Sequence, residues 1–293
     1  MRIGFIGLGV MGGPMAKHLI AKRANVAVFD VDPFRMHGFS PLEADLAASV
    51  AQAAMGADVV FLSLPGSAVV REVVLGADGL ASAMRSGSVV VDTSTTEPTV
   101  TVEIASALAQ KGIGFLDAPV SGGEKAAVDG TLAFMVGGDE SLFNDCADLF
   151  SAMGTAVRVG QAGAGEAAKL INNMIVGATF AIVAEAFALG VKHGLDPKVL
   201  HEAIRGGWAG SKVLDVSVAA MLDRDFKPGG TVNIHWKDLG YALSLAKDED
   251  VPTPVTALVH EIFKAARADG KGGLSQPAIV TLWERLIGKE VKS

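Results

Sequence analysis

The chain opens with a glycine-rich segment that constrains its fold more than any other feature. Arg2–Ile6 has the apolar character of a buried strand, and Gly7-Leu8-Gly9-Val10-Met11-Gly12 follows it directly. A helical segment, Pro14–Lys22, comes next. Glycine permits a tight turn and a close approach between backbones. A GxGxxG pattern between a strand and a helix therefore predicts a strand–turn–helix unit in a parallel sheet.

An acidic residue follows at the spacing that such a unit uses to bind a dinucleotide. Asp30 comes 18 residues after Gly12 and ends a second predicted strand, Val26–Phe29. In units of this kind the loop and the helix N-terminus bind pyrophosphate, while the carboxylate accepts the ribose hydroxyls. Val31 and Asp32 follow Asp30, so no arginine immediately follows to meet a 2′-phosphate. The sequence therefore predicts NAD rather than NADP as cofactor, bound through Gly7, Gly9, Met11, Gly12 and Asp30.

Strand-like and helix-like segments alternate through the first half of the chain. Further strands are predicted at Val59–Leu62 and Val89–Val91, with weaker candidates at Phe115–Leu116, Leu132–Val136 and Ala156–Arg158. Helical segments such as Thr99–Lys111 lie between them. This alternation indicates a mostly parallel sheet covered by helices, so residues 1–162 are predicted to form an α/β domain of the Rossmann type.

After Gly163 the strand-like segments stop and helical periods take over. Gly194 is expected to end a long first helix, and Asp196-Pro197 has the form of a helix start. Later helices are predicted at Pro197–Arg205, Lys212–Leu222, His235–Lys247, Thr253–Asp269 and Ser275–Ile287. Residues 163–293 are therefore predicted to form an all-α domain.

Charge and cysteine content exclude several classes of protein. The net charge is −7 and the chain has no basic run, so nucleic acid is not an expected partner. Cys146 is the only cysteine and no cluster has metal-ligand spacing, so neither a disulfide nor a metal site is expected. Met174–Val191 is apolar enough to suggest a membrane span, but it contains Glu185 and is better explained as a buried helix. A soluble, cytoplasmic protein without membrane contact is the expectation.

Two polar segments are candidates for chemistry. Lys169 and Asn173 are one turn apart on the long helix and share a face, so the lysine could act as a general acid and base oriented by the amide. The alternative is an ordinary lysine at a helix end with its charge in solvent. Asp117-Ala118-Pro119-Val120-Ser121-Gly122-Gly123 could cradle a carboxylate with its hydroxyl and consecutive N–H groups, or could be a plain structural turn.

Taken in order, these segments resemble the β-hydroxyacid dehydrogenase family, and the resemblance runs from Met1 to Val291. The motifs that carry it are the Gly7–Gly12 loop, Asp92-Thr93-Ser94-Thr95 with Pro98, Asp117–Gly123, Lys169–Asn173 and Lys237-Asp238-Leu239. The resemblance implies an NAD-dependent oxidoreductase in which a long helix joins a Rossmann domain to a helical domain for substrate binding and oligomerisation. It also implies a small carboxylate substrate. A homo-oligomer, a dimer or tetramer, is expected because the apolar Met174–Val191 segment and the helical second domain offer more hydrophobic surface than one subunit easily covers.

The same resemblance assigns roles to individual residues. Lys169 would be the catalytic lysine and Asn173 its positioning partner. The substrate would be bound by Ser121, Gly122, Gly123 and Asn172. The nicotinamide half of the cofactor would be bordered by Leu64, Pro65, Thr95 and Lys237.

Within the family, several stretches are most similar to the branch that reduces 2-hydroxy-3-oxopropionate (tartronate semialdehyde) to glycerate. They include Ala203-Ile204-Arg205-Gly206-Gly207 and Asp223–Gly229. Oxidation of 3-hydroxyisobutyrate, threonate or a serine-type hydroxy acid is the alternative, because His18, Trp208 and Trp236 depart from the pattern. His235 is a further candidate for the substrate cleft. A dinucleotide-binding module without catalysis is a third possibility, which the presence of Lys169 disfavours.

Overall fold

A computed structural model describes residues 1–22, 25–40, 42 and 44–293. The chain separates into two compact units, Met1–Lys169 and Leu170–Ser293. The first is an α/β unit and the second is helical, so the predicted fold class is confirmed. A single 30-residue helix, Ala164–His193, runs through the boundary between the units.

Within the part of the chain that the structure describes, the first unit is built on one sheet of nine strands. They are β1 Arg2–Ile6, β2 Asn25–Phe29, β3 Asp45–Leu46, β4 Val59–Leu62, β5 Val89–Asp92, β6 Gly114–Asp117, β7 Val120–Ser121, β8 Leu132–Gly138 and β9 Gly154–Gly160. The order across the sheet is β3-β2-β1-β4-β5-β6-β8-β7, and β9 pairs with β8. β8 is antiparallel to β6 and β7, while the other pairs are parallel.

All of the predicted strands are present, whereas the short β3 and β7 lack a sequence signal. The helices of this unit are α1 Gly12–Ala21, α2 Pro33–His37, α3 Val50–Ala54, α4 Ser67–Leu75, α5 Leu80–Ala83, α6 Pro98–Ala109, α7 Gly123–Asp129 and α8 Glu140–Ser151. β2 and β3 lie on one side of β1, and the chain then crosses to the other side, where β4 pairs with β1 and β5 pairs with β4. In a sheet with such a reversal of strand order, ligands bind at the carboxyl ends of the strands.

Aromatic rings fill the core on one face of this sheet. The rings of Phe5 and Phe61 stack with centroids 5.9 Å apart, and Phe150 of α8 meets Phe61 edge-on at 6.3 Å. Cys146 is buried in the same core, and burial raises the pKa of its thiol to about 11. Cys146 is therefore a small core residue whose thiolate form is disfavoured by its apolar surroundings.

The second unit consists of helices. After α9 (Ala164–His193) come α10 Pro197–Ile204, α11 Lys212–Asp223, α12 Val232–Asp248, α13 Pro254–Ala266 and α14 Val280–Ile287. The helix predicted for Thr253–Asp269 ends its α-helical part at Ala266 and continues as a π turn, in which Gly270 has a φ of 76°. The segment predicted from Ser275 begins with a 3₁₀ turn, Gln276–Ile279.

α9 is long and apolar enough to cross a membrane by length and composition, and half of its most apolar window is buried. Phe180, Ala184 and Phe187 belong to the core of the second unit. That burial is typical of the core helix of a soluble protein.

Candidate functional site

The glycine loop after β1 has a geometry that only glycine allows at two positions. Gly7 has a φ of 94°, and a Cβ placed on it would lie 2.2 Å from the Ser63 carbonyl oxygen. A Cβ on Gly12 would lie 1.9 Å from the Gly7 carbonyl oxygen. Among the described residues, a Cβ on Gly9 would meet only the Arg35 guanidinium, at 3.5 Å, so its backbone is open to a ligand. These three roles fit a pyrophosphate cradle.

Asp30 ties this loop to the end of β2. One carboxylate oxygen accepts the Leu8 N–H at 2.7 Å, and the other accepts the Asp32 N–H at 2.8 Å. The carboxylate is 4% exposed. Its position beside the loop, at the carboxyl end of β2, is the one that a ribose-binding carboxylate requires.

Arg35 stands beside Asp30, which the sequence analysis missed. Its Nη1 lies 3.4 Å from Asp30 Oδ2, and its Nε lies 3.5 Å from Asp32 Oδ2. The residues immediately after Asp30 are indeed not cationic. However, α2 begins at Pro33, and its first turn brings Arg35 back toward the end of β2. A cation is thus available near the predicted ribose site.

The other predicted cofactor residues in this unit follow β4 and β5. Leu64 and Pro65 come after β4, and Thr95 comes after β5. The Leu64 N–H donates to Ser94 Oγ at 2.9 Å, and the Ser94 N–H donates to Asp92 Oδ1 at 2.9 Å. Because β1, β4 and β5 are parallel neighbours, these segments lie at the same edge of the sheet as Gly7–Gly12.

The predicted substrate turn follows β6 at this edge. Ser121 is the last residue of β7, and Gly122 and Gly123 have φ values of 131° and 70°. A Cβ on Gly122 would lie 2.5 Å from the Ala126 Cβ. Two consecutive positive φ values at the start of α7 explain why the turn has a glycine pair.

Lys169 lies in the second turn of α9 and is partly buried. The start of this helix is bonded to Asp117, the last residue of β6, through the N–H groups of Gly163 and Glu166. The helix that carries the predicted catalytic lysine is therefore anchored to the edge of the sheet that carries the other predicted residues of this unit.

Glu166, one turn before Lys169, is a buried acid that the sequence analysis did not single out. It is fully buried, and its Oε1 accepts a hydrogen bond from Thr96 Oγ1 at 3.1 Å. No described residue bonds its Oε2. Burial, together with the nearby carboxyls of Asp92 and Asp117, raises the pKa of Glu166 well above its usual range. The folded protein therefore favours the protonated, uncharged form of the Glu166 carboxyl.

In the second unit, Asn173 is held by a network of polar side chains. Its Nδ2 donates to Asp238 Oδ2 at 2.7 Å, and its Oδ1 accepts from Asn172 Nδ2 at 2.9 Å. Lys237 Nζ lies 3.2 Å from Asp238 Oδ1. The structure therefore brings Asn172, Asn173 and Lys237 together, and the residue that joins them is Asp238.

His235 is not the cleft residue that its position near Lys237 suggested. It is 2% exposed, its ring packs 4.8 Å from the Phe263 ring, and its Nε2 lies 3.1 Å from the Asn173 carbonyl oxygen. A Cβ on Gly177 would lie 2.5 Å from His235 Nε2, so the helix is open at that point to admit the ring. His235 supports the backbone of Asn173 from inside the core.

The residues that depart from the family pattern have different environments. His18 Nε2 lies 3.1 Å from the Ala127 carbonyl oxygen and 3.0 Å from that of Val128, so it links α1 to α7. Trp208 is fully exposed. Trp236 is stacked between the His260 ring and the Arg267 guanidinium, 5.3 Å and 3.7 Å away.

Comparisons with known proteins identify the family of this chain. Residues 2–163 match the family model described as the NAD binding domain of 6-phosphogluconate dehydrogenase. Residues 163–283 match the model described as NAD-binding of NADP-dependent 3-hydroxyisobutyrate dehydrogenase. The chain belongs to the β-hydroxyacid dehydrogenase family.

Two relatives and one solved structure show how far the likeness extends. The chain is 38% identical to 2-(hydroxymethyl)glutarate dehydrogenase of Eubacterium barkeri, covering 99% of this chain and 97% of the relative. It is 37% identical to 2-hydroxy-3-oxopropionate reductase of Escherichia coli (strain K12), covering 99% and 100%. The crystal structure of 3-hydroxyisobutyrate dehydrogenase from Salmonella typhimurium is 29% identical, with a TM-score of 0.88, covering 96% and 99%.

As a β-hydroxyacid dehydrogenase, the chain is an oxidoreductase that acts on CH–OH groups with NAD as cofactor. The predicted family, enzyme class and cofactor are confirmed. The names of the relatives differ in substrate, so they establish the reaction class without choosing one hydroxy acid.

Asp30 and Arg35 lead to a prediction about cofactor preference. We expect a higher kcat/KM with NADH than with NADPH, because the Asp30 carboxylate repels a 2′-phosphate. Arg35→Gln should widen that preference about tenfold, since it removes a cation able to bond the phosphate. Steady-state kinetics with both cofactors measures this, and Arg71→Gln on α4 is the matched control. A wild-type preference for NADPH would refute the interpretation of Asp30.

Glu166 leads to a prediction about stability and pH. When a carboxyl has a higher pKa in the folded state than in the unfolded state, the folded protein loses stability as pH rises. The loss begins near the unfolded pKa, about 4.5, and continues up to the folded pKa. Glu166→Gln should therefore match the wild type in acid and become more stable near neutrality by at least about 1 kcal/mol. Urea unfolding across this pH range measures the difference. Glu103→Gln should show no such gain, because Arg71 lowers the pKa of Glu103.

Proposed function

We propose that the chain interconverts a small β-hydroxy acid and its semialdehyde, and that 2-hydroxy-3-oxopropionate, reduced to glycerate, is its main substrate. The observation that carries the reaction is the anchoring of α9 at Asp117. This one residue both begins the turn that contains Ser121 and bonds the first turn of the helix that contains Lys169. Asp117 thus holds both the helix with the proposed proton donor, Lys169, and the turn that is proposed to bind the substrate carboxylate.

The cofactor fits the residues at the edge of the sheet. Gly7–Gly12 would hold the pyrophosphate and Asp30 the adenosine ribose, while Leu64, Pro65 and Thr95 would border the nicotinamide. By the family resemblance, Lys237 would also border the nicotinamide. NAD supplies the hydride acceptor in oxidation and, as NADH, the hydride donor in reduction.

Lys169 would move the proton. In reduction its ammonium group donates a proton to the carbonyl oxygen of the aldehyde, and in oxidation the neutral amine takes the hydroxyl proton. Asn173 follows one turn later on α9, and its amide orientation is set by Asp238 and Asn172. Asn173 would orient the lysine, and Asn172, together with the Ser121–Gly123 turn, would bind the substrate.

The choice among substrates depends on the group attached to the carbon beside the carboxylate. Glycerate carries a hydroxyl there, 3-hydroxyisobutyrate a methyl, serine an amine and 2-(hydroxymethyl)glutarate a carboxyethyl chain. The stretches Ala203–Gly207 and Asp223–Gly229 favour the hydroxyl compound. 3-Hydroxyisobutyrate, or a threonate- or serine-type acid, is the second candidate.

The substrate proposal predicts a ranking. In the oxidative direction, kcat/KM with glycerate should exceed that with 3-hydroxyisobutyrate by at least about 10²-fold, because a site that bonds a hydroxyl rejects a methyl strongly. Assays of glycerate, 3-hydroxyisobutyrate, serine, threonate and 2-(hydroxymethyl)glutarate with NAD give the ranking directly. If another acid gives a higher kcat/KM than glycerate, the proposal that glycerate is the main product is wrong.

The role of Lys169 predicts the effect of two substitutions. Lys169→Ala should lower kcat by roughly 10²–10⁴-fold, the usual worth of a positioned acid or base. Lys169→Arg should also lower kcat strongly, because a guanidinium keeps its proton and is bulkier than an ammonium group. NADH binding, measured by fluorescence, should not change.

Lys192 offers the matched control. It lies near the end of the same helix and donates to the Ile287 carbonyl oxygen at 3.0 Å. Lys192→Arg and Lys192→Ala should leave kcat at the wild-type value. Folded Lys169 variants with wild-type turnover would contradict the mechanism and would favour a dinucleotide-binding module without catalysis.

We also propose a soluble, cytoplasmic homo-oligomer. Ile171, Ile175, Ile182 and Leu189 lie along one side of α9, and each is more than half exposed. Their spacing of four and seven residues makes an apolar stripe of the kind that a second copy covers. Light scattering should show a dimer or tetramer, and Ile182→Glu should weaken it. A 30.1 kDa species at micromolar concentration would contradict this expectation.

A further inference from the structure

Asp117 is a buried acid whose side chain leaves the sheet and bonds another segment of the chain. It is the last residue of β6 and has no exposed surface. In the sheet it pairs with Asp92 of β5 on one side and with Gly137 of β8 on the other. Its backbone is therefore fixed by strands on both sides, and the direction of its side chain is set by the sheet.

The two carboxyl oxygens of Asp117 are divided between two backbone donors. Oδ1 accepts the Gly163 N–H at 2.9 Å, and Oδ2 accepts the Glu166 N–H at 2.9 Å. The N–H groups at a helix start have no partner inside the helix, so a buried start must find one elsewhere. Asp117 supplies both acceptors across a sequence separation of 46 and 49 residues.

Two glycines, Gly137 and Gly165, leave the room that this carboxyl group occupies. A Cβ on Gly137 would lie 2.5 Å from Asp117 Oδ1, and a Cβ on Gly165 would lie 2.8 Å from Oδ2. A Cβ on Gly165 would also lie 2.6 Å from the Asp117 carbonyl oxygen. Backbone thus packs against the carboxyl where side chains would otherwise push it away, and the helix start is held close to β6.

The segment that follows Asp117 is fixed to the sheet as well. The Ala118 N–H donates to the Asp92 carbonyl oxygen at 2.7 Å, and the Pro119 carbonyl oxygen accepts the Met135 N–H at 3.1 Å. Ser121 then pairs with Ala133 of β8. The backbone from Asp117 to Ser121 is therefore held in one conformation by the sheet. The backbone from Glu166 to Lys169 is likewise fixed, because it is helical.

We propose that Asp117 is a positioning residue for catalysis: its carboxyl group fixes the position of Lys169 relative to the Ser121–Gly123 turn. It acts through the first turn of α9 and does not itself touch substrate or cofactor. This inference rests on the proposed function, since it takes Lys169 as the proton-transfer residue. A displacement of about 1 Å at a reacting group can cost about 10²-fold in rate.

The test compares the same substitution at two helix starts. In Asp117→Asn, one acceptor oxygen becomes an NH₂ group that faces an N–H donor, so the helix start must shift. Asp139 at the start of α8 accepts both the Ser141 and the Leu142 N–H with Oδ1 alone. Asn retains that oxygen, so Asp139→Asn should behave as wild type. Asp117→Ser, which adds no opposing amide donor, is the second variant if Asp117→Asn does not fold.

Each variant is measured for NADH affinity, for kcat per folded molecule and for the deuterium isotope effect on hydride transfer with NADH labelled at the transferred position. We expect unchanged NADH affinity, a kcat lowered about 10²-fold and a larger isotope effect for the Asp117 variants, since the chemical step becomes slower. A purely structural role would lower the folded fraction and leave kcat per folded molecule and the isotope effect unchanged. That result would overturn the inference.

Lys169→Ala separates this inference from the proposed function. If Lys169→Ala abolishes turnover and the Asp117 variants retain it, only the positioning role fails. If Lys169→Ala retains turnover, the mechanism itself fails, and with it the basis for the role of Asp117.

Discussion

Three aspartates at the carboxyl end of the sheet organise the first unit through one kind of interaction, the bond from a backbone N–H to a buried carboxyl. Asp30 accepts from Leu8, Asp92 accepts from Ser94, and Asp117 accepts from Gly163 and Glu166. A carboxyl removed from water is costly unless its oxygens are bonded, and backbone N–H groups at turns and helix starts need acceptors. Each aspartate meets both needs at once, and each thereby fixes a loop at the edge where the cofactor is expected.

Placing three acids close together has an electrostatic consequence. Asp92 and Asp117 lie side by side on β5 and β6, and Glu166 packs near them from α9. Three negative charges in a buried space would repel each other strongly. Burial, together with the Asp92 and Asp117 carboxyls, raises the pKa of Glu166, so its protonated form is favoured. The first turn of α9 therefore carries an acid with a raised pKa, one turn before Lys169.

The second unit orients its polar residues from inside the core. Asp238 receives the Asn173 amide, and His235 contacts the Asn173 carbonyl oxygen while its ring packs against Phe263. Gly177 leaves room for that ring on the face of α9. These contacts fix the orientation of the Asn173 amide, which the role proposed for Asn173 beside Lys169 requires.

The sequence by itself determined the features that depend on neighbouring residues. The strands, the long helix, the glycine loop and Asp30 were predictable because apolar periodicity and the GxGxxG spacing are local patterns, and the order of the motifs indicated the family. Only the tertiary structure showed Arg35 beside Asp30, the raised pKa of Glu166, the burial of His235 and the bonding of Asp117 to the start of α9. Each of these depends on which segments the fold brings together. Asp117 and Gly163 are 46 residues apart, and no local pattern specifies that they meet.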